Sequence, residues 1–233
     1  MLAAIGWGAL AASSLVIGAL LGLAQRWPDR AVGLVLAFGA GALISAISFE
    51  LAEEGVRESS PGWVALGLAV GSLTYFALDG RLDRRGRRGG GAGTALALGA
   101  FLDGIPEQLA LGIGLAGRQG VGVGLLVAIF VSNLPEAIGS STDMRRAGRS
   151  PRTVLRLWLA VAAVCALSTL VGYAIADGVG GAVKGAVNGF AAGALLVMLV
   201  DSMAPEAAAK GGRTAGLATA LGFAVAAGLS GLS

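Results

Sequence analysis

Eight long apolar stretches, separated by short polar or glycine-containing breaks, constrain this chain more than any other feature. They run roughly over residues 2-24, 31-52, 62-79, 94-116, 121-142, 153-175, 185-208 and 214-232, the last being rich in Ala and Gly. A helix needs about 20 apolar residues to cross the hydrocarbon of a bilayer, and a helix satisfies its own backbone hydrogen bonds there. Composition agrees: 55% of the 233 residues are hydrophobic and only 13% are charged, with a mean hydropathy of +0.79. That is too apolar for an ordinary water-soluble domain. The expected fold class is an all-α polytopic membrane protein of eight transmembrane helices, one transmembrane domain over 1-233 surrounded by lipid. No Lys or Arg precedes the first stretch, so a cleaved signal peptide with a basic n-region is not expected. Cys165 is the only cysteine and histidine is absent, so a disulfide framework or a thiolate metal cluster cannot form within one chain.

The basic residues give an orientation. If the stretches alternate across the membrane, the first, third, fifth and seventh connections share one side. These carry Arg26 and Arg30, then Arg81, Arg84, Arg85, Arg87 and Arg88, then Arg145, Arg146, Arg149, Arg152 and Arg156, then Lys210 and Arg213. The other side has Arg57, Arg118 and Lys184. Short loops rich in Lys and Arg stay in the cytoplasm, so the expectation is a multi-pass plasma-membrane protein, in a bacterial cytoplasmic membrane, with both termini outside. The run "RLDRRGRRGGGAG" needs only topology to explain it, and no nucleic-acid partner is expected.

Two segments resemble each other across the chain, "FGAGALISAISFELAEEG" (38-55) and "FAAGALLVMLVDSMAPEA" (190-207). Matching the second stretch to the seventh makes stretches 1-3 and 6-8 a repeat around a central pair. An odd offset inverts one copy in the membrane, giving a 3+2+3 arrangement with inverted outer repeats, as in many secondary transporters. Small residues such as Gly39, Gly41, Ala191 and Gly193 are explained by close helix packing alone.

The central pair carries the chemistry. "FLDGIPEQLALG" (101-112) sets Asp103 and Glu107 four residues apart around Pro106, and "FVSNLPEAIG" (130-139) sets Ser132, Asn133 and Glu136 around Pro135. Residues four apart differ by about 40° around a helix and face the same way. An ionised carboxylate at mid-depth costs about 2.5–3.5 kcal/mol, so three of them demand a bound cation or protons. Each proline also lacks the N–H that would bond the carbonyl four residues back, which releases Leu102 and Val131. Such backbone is tolerated at membrane depth only where protein or a wet cavity satisfies it. Neither span of the pair carries Lys or Arg to hold its acids.

At these residues the chain resembles the ZIP family of divalent-metal transporters, whose fourth and fifth spans commonly carry His-Asn-x-Pro-Glu-Gly. Here the fourth has Asp103-Gly104-Ile105-Pro106-Glu107-Gln108 and the fifth has Ser132-Asn133-Leu134-Pro135-Glu136-Ala137. Glu50 in the second span and Asp201, Pro205 and Glu206 in the seventh are also ZIP-like. The resemblance implies a metal centre between the two helices, formed by Asp103, Glu107, Ser132, Asn133 and Glu136. It further implies uptake toward the cytoplasm and a homodimer, with spans 1, 4, 5 and 6 moving against a frame of spans 2, 3, 7 and 8. Both family histidines are replaced, by Asp103 and Ser132, and the fourth-span Asn is Gly104.

Without imidazole or thiolate the site offers carboxylate, amide, hydroxyl and carbonyl oxygens, suited to harder ions such as Mn, Mg or Ca. Zinc also binds carboxylates. The expected function is a secondary transporter of divalent cations (Mn, Zn, Fe or another) working by alternating access, with the ion as substrate and no tightly bound cofactor. The alternative is a ZIP-like protein that has lost metal transport and acts as a proton-coupled carrier of another solute or as a sensor, because paired carboxylates can also be neutralised by shared protons. An enzyme is not expected, since no second polar constellation accompanies Asp103 and Glu107.

Overall fold

The computed structural model describes the backbone of residues 1–25, 27–89, 91–116, 123–176 and 178–230, and their side chains except at 82–103 and 123. Among these residues the chain is helical, with no strand. In order it forms α1 (Leu2–Ala24), α2 (Asp29–Ala46), α3 (Glu54–Glu58), α4 (Pro61–Gly89), α5 (Gly91–Ala116), α6 (Val123–Arg146), α7 (Pro151–Ala176), α8 (Gly181–Met198), α9 (Ala204–Gly211) and α10 (Ala215–Ser230). A π-helical stretch, Ile47–Glu53, joins α2 to α3, and another, Leu199–Met203, joins α8 to α9. Both rods therefore run on without a break and carry an acid, Glu50 or Asp201, in the widened turn.

Among the described residues, six segments are long and apolar enough to cross a membrane, one of them the 50-residue Gly181–Ser230. The outer faces are apolar as well: Leu73 is 69% exposed, Phe76 66% and Leu217 75%. Leucine and phenylalanine side chains presented outward in such numbers suit hydrocarbon rather than water. The chain is an all-helical polytopic membrane protein.

Two kinds of packing hold the rods together. The peripheral rods pair through glycines, α2 with α10 and α4 with α8. A Cβ on Gly222 of α10 would strike the carbonyl oxygen of Phe38 in α2, and a Cβ on Gly71 of α4 would strike that of Phe190 in α8. Phe38 and Phe190 open the two similar segments of the sequence, so the same contact is made twice by corresponding residues. Without a hydrophobic drive between helices in lipid, such backbone-to-backbone approach supplies the dispersion contact. In the second group, α1, α5, α6 and α7 pack around one another: Gly18 of α1 sits against Ala137 of α6, where a Cβ would come within 2.7 Å, and Gly172 of α7 sits against the Leu109 carbonyl of α5. The groups meet where α2 crosses α6 and where α8 and α4 meet α5.

Candidate metal site between α5 and α6

Prolines 106 and 135 lie inside α5 and α6, and both helices continue through them. Each proline leaves a carbonyl without its usual donor, which biases one side of each helix toward polar company. Glu107 is buried to 1% exposure and the neighbouring Gln108 to 0%. On α6, Ser132 and Asn133 are each 1% exposed, and Glu136, one turn further on, is partly buried. Asp103 belongs to α5 by its backbone, and its side chain lies outside the described residues. Four of the five sequence-expected residues are thus placed by side chain, on two helices that pack together. Among the described residues no group of three or more Asp, Glu, His or Cys side chains gathers to hold an ion. The oxygen set there is two glutamates supplemented by a hydroxyl and an amide.

Neighbouring elements fix these side chains. Ser132 Oγ donates to the Ile129 carbonyl at 3.2 Å, folding the hydroxyl onto its own helix. Opposite it stands Gly39 of α2, where a Cβ would come 3.1 Å from Ser132 Cα and 2.9 Å from Met203 Cε. α2 therefore approaches the site by its backbone. Asn133 Nδ2 has no hydrogen-bond partner among the described residues, so the amide loses little by turning its oxygen toward an ion.

Gln108 was not among the residues expected at the site. Its Oε1 accepts a hydrogen bond from Thr169 Oγ1 of α7, wholly inside the protein, while its Nε2 has no partner among the described residues. The sequence signal was present in a second polar residue directly after Glu107, on a helix whose other neighbours are apolar. One turn earlier on α5, Gly104 rests against the Cys165 sulfur of α7, so that a Cβ there would collide with it. The ZIP-like acids of the outer rods lie elsewhere: Glu50 accepts a hydrogen bond from Ser230 at 2.7 Å, Asp201 is exposed, and Glu206 pairs with Lys210 at 2.6 Å.

A buried carboxylate beside an intrahelical proline, in a multi-pass helical bundle, marks a candidate ion site. The model of the ZIP zinc transporter family matches residues 86–230, and the chain belongs to that family, whose members are transporters rather than enzymes. It is also similar to a protein of Arabidopsis thaliana named "Putative zinc transporter", 29% identical over 186 residues, or 75% of this chain. The match spans 30% of that relative's length.

Proposed function

We propose that the protein is a secondary transporter of divalent metal cations, carrying them toward the cytoplasm through an oxygen-rich site made by Asp103, Glu107, Ser132, Asn133 and Glu136. The observation that carries this reading is the burial of Glu107, Ser132 and Asn133 on two packed helices that each hold a proline. Carboxylates at membrane depth are costly and mark ion pathways, and neither helix brings a cation of its own between its start and Glu136. Family membership and the plant relative's name support the same substrate class. The missing histidines favour Mn or another oxygen-seeking ion over zinc. The Cys165 sulfur beside Gly104 takes up the space that a fourth-span Asn would use, which favours a single ion position.

The packing supports a moving site. α1, α5, α6 and α7 hold one another by backbone approach, as do the α2–α10 and α4–α8 pairs, with the site at the border between the groups. Sliding the first group against the frame of α2, α4, α8 and α10, within an eight-span 3+2+3 arrangement of inverted repeats, would expose the site to each side in turn. The direct test is binding. Purified protein should bind Mn2+ near one equivalent, and Glu107→Ala with Glu136→Ala should abolish that binding. Stoichiometric binding retained by the double variant removes the site.

A further inference from the structure

The widened turn that follows α2 meets the start of α6 through a carboxylate. Ser230, the last residue of α10, donates to Glu50 Oε1 at 2.7 Å and to the Ala226 carbonyl of its own helix at 3.1 Å, so α10 holds the acid in place. Gly124, the second residue of α6, is buried against this pair. A Cβ there would collide with Glu50 Oε1 and Ser230 Oγ, and would come 3.4 Å from the Ala226 carbonyl oxygen. A carbon–carbon bond is about 1.5 Å long, so the Gly124 Cα itself lies within about 4 Å of both side-chain oxygens. The first four N–H groups of a helix have no acceptor inside it, and the helix dipole leaves that end positive. Glu50 thus faces the pole of α6 that favours a negative charge, and glycine lets it come close. From this contact down to the site, the flank of α6 formed by Leu125, Ala128, Ile129 and Ser132 is buried. Past the site Glu136, Gly139 and Asp143, which share a face of α6, are only partly buried. The second repeat has no counterpart to the acid: Ser202, exposed, stands twelve residues after Phe190, as Glu50 stands twelve after Phe38.

We propose that Glu50, held by Ser230, is an electrostatic latch on the first turn of α6 that keeps the site shut at the end of the bundle away from the Arg-rich loops. Glu50 and Ser230 belong to the frame and Gly124 to the group that carries the site, so the contact spans the boundary along which the site would slide. A conformation is favoured by the contacts that it makes and its alternative lacks. When α6 slides, its positive end leaves the carboxylate, and the closed form alone keeps that attraction. Because the second repeat carries no such acid, the bias acts at one end of the bundle only. Glu50 works by position here and does not join the ion site. The latch rests on the transport reading for its motion, and on the Glu50–Ser230–Gly124 contact for its chemistry.

The test is the labelling rate of a single cysteine at Ile129, in the full chain with Cys165→Ala. A membrane-impermeant maleimide is applied to sealed vesicles, without metal, from the face opposite the Arg-rich loops. Glu50→Gln keeps the size of the side chain and the acceptor for Ser230 but removes the charge, and should raise the rate at least threefold. Glu50→Lys sets a cation against the same pole and should raise it further. Gly124→Ala should raise it as well, because its methyl group and the carboxylate cannot share one place, and it decides the matter if the Glu50 variants do not fold. Mn2+ binding by Glu50→Gln should match the parent's. Labelling by Glu50→Gln and Gly124→Ala at the parent's rate overturns the proposal, as does a Glu50→Lys rate no higher than that of Glu50→Gln. Loss of a bound Mn2+ in Glu50→Gln would make Glu50 a ligand and overturn it too. Uptake that depends on Glu107 and Glu136 alongside unchanged labelling would remove the latch and leave the transport reading standing. Faster labelling in a protein whose flux ignores those glutamates would do the reverse.

Discussion

Gly104 of α5 faces the Cys165 sulfur of α7, which a Cβ at position 104 would strike unless the thiol shifted. α5 and α7 pack together there, one turn before Glu107.

Gly104→Asn should therefore destabilise the protein by about 1–3 kcal/mol, the usual cost of overpacking, and adding Cys165→Ala should recover part of the loss. Thermal unfolding in detergent checks this. A single variant as stable as the parent would mean that α5 and α7 can part at no cost.

Thr169 provides a second handle. Its hydroxyl donates to Gln108 Oε1 in a fully buried setting, and leaving a buried acceptor unpaired costs about 1–3 kcal/mol. Thr169→Val, close in shape, should lose that much stability and weaken Mn2+ binding by the neighbouring Glu107. Thr169→Ser should keep both, so equal behaviour of the two variants would deny the hydrogen bond its role.

Selectivity follows from ligand softness. Asp103→His combined with Ser132→His should shift preference from Mn2+ toward Zn2+ in competition binding, because imidazole suits zinc better than carboxylate and hydroxyl do. Zinc binding unchanged or weakened by the double substitution contradicts the argument.

How much of this was legible beforehand depends on the range of the interaction. The Pro-Glu pairs announce themselves because local spacing sets the shared helix face and the proline chemistry, and the structure places Glu107, Ser132 and Asn133 inside as that spacing suggests. The two similar segments were visible from Phe38 and Phe190 onward, but not their purpose, since the Phe38–Gly222 and Phe190–Gly71 contacts join residues far apart in sequence. The π-helical turns at Glu50 and Asp201 were not legible either. A one-residue widening of a helix is decided by what packs on it, and both acids had been expected in ordinary helix. Gln108 was overlooked because its partner, Thr169, lies two helices further on.

Alternating exposure can be read with thiol reagents. In a Cys165→Ala background, single cysteines at Leu109 and Ile129 should label from opposite faces in reciprocal fashion as metal is added or removed. The buried Ile129, 0% exposed here, should become reactive only in the other state. Simultaneous labelling of both positions from both faces would indicate a channel.

The central claim is that a cation crosses by way of Glu107 and Glu136, and Mn2+ uptake into proteoliposomes tests it most directly. The parent protein should show saturable uptake, and Glu107→Ala and Glu136→Ala should each reduce it at least a hundredfold while leaving expression and thermal unfolding close to the parent's. Flux at the parent's level in either well-folded variant would contradict the account.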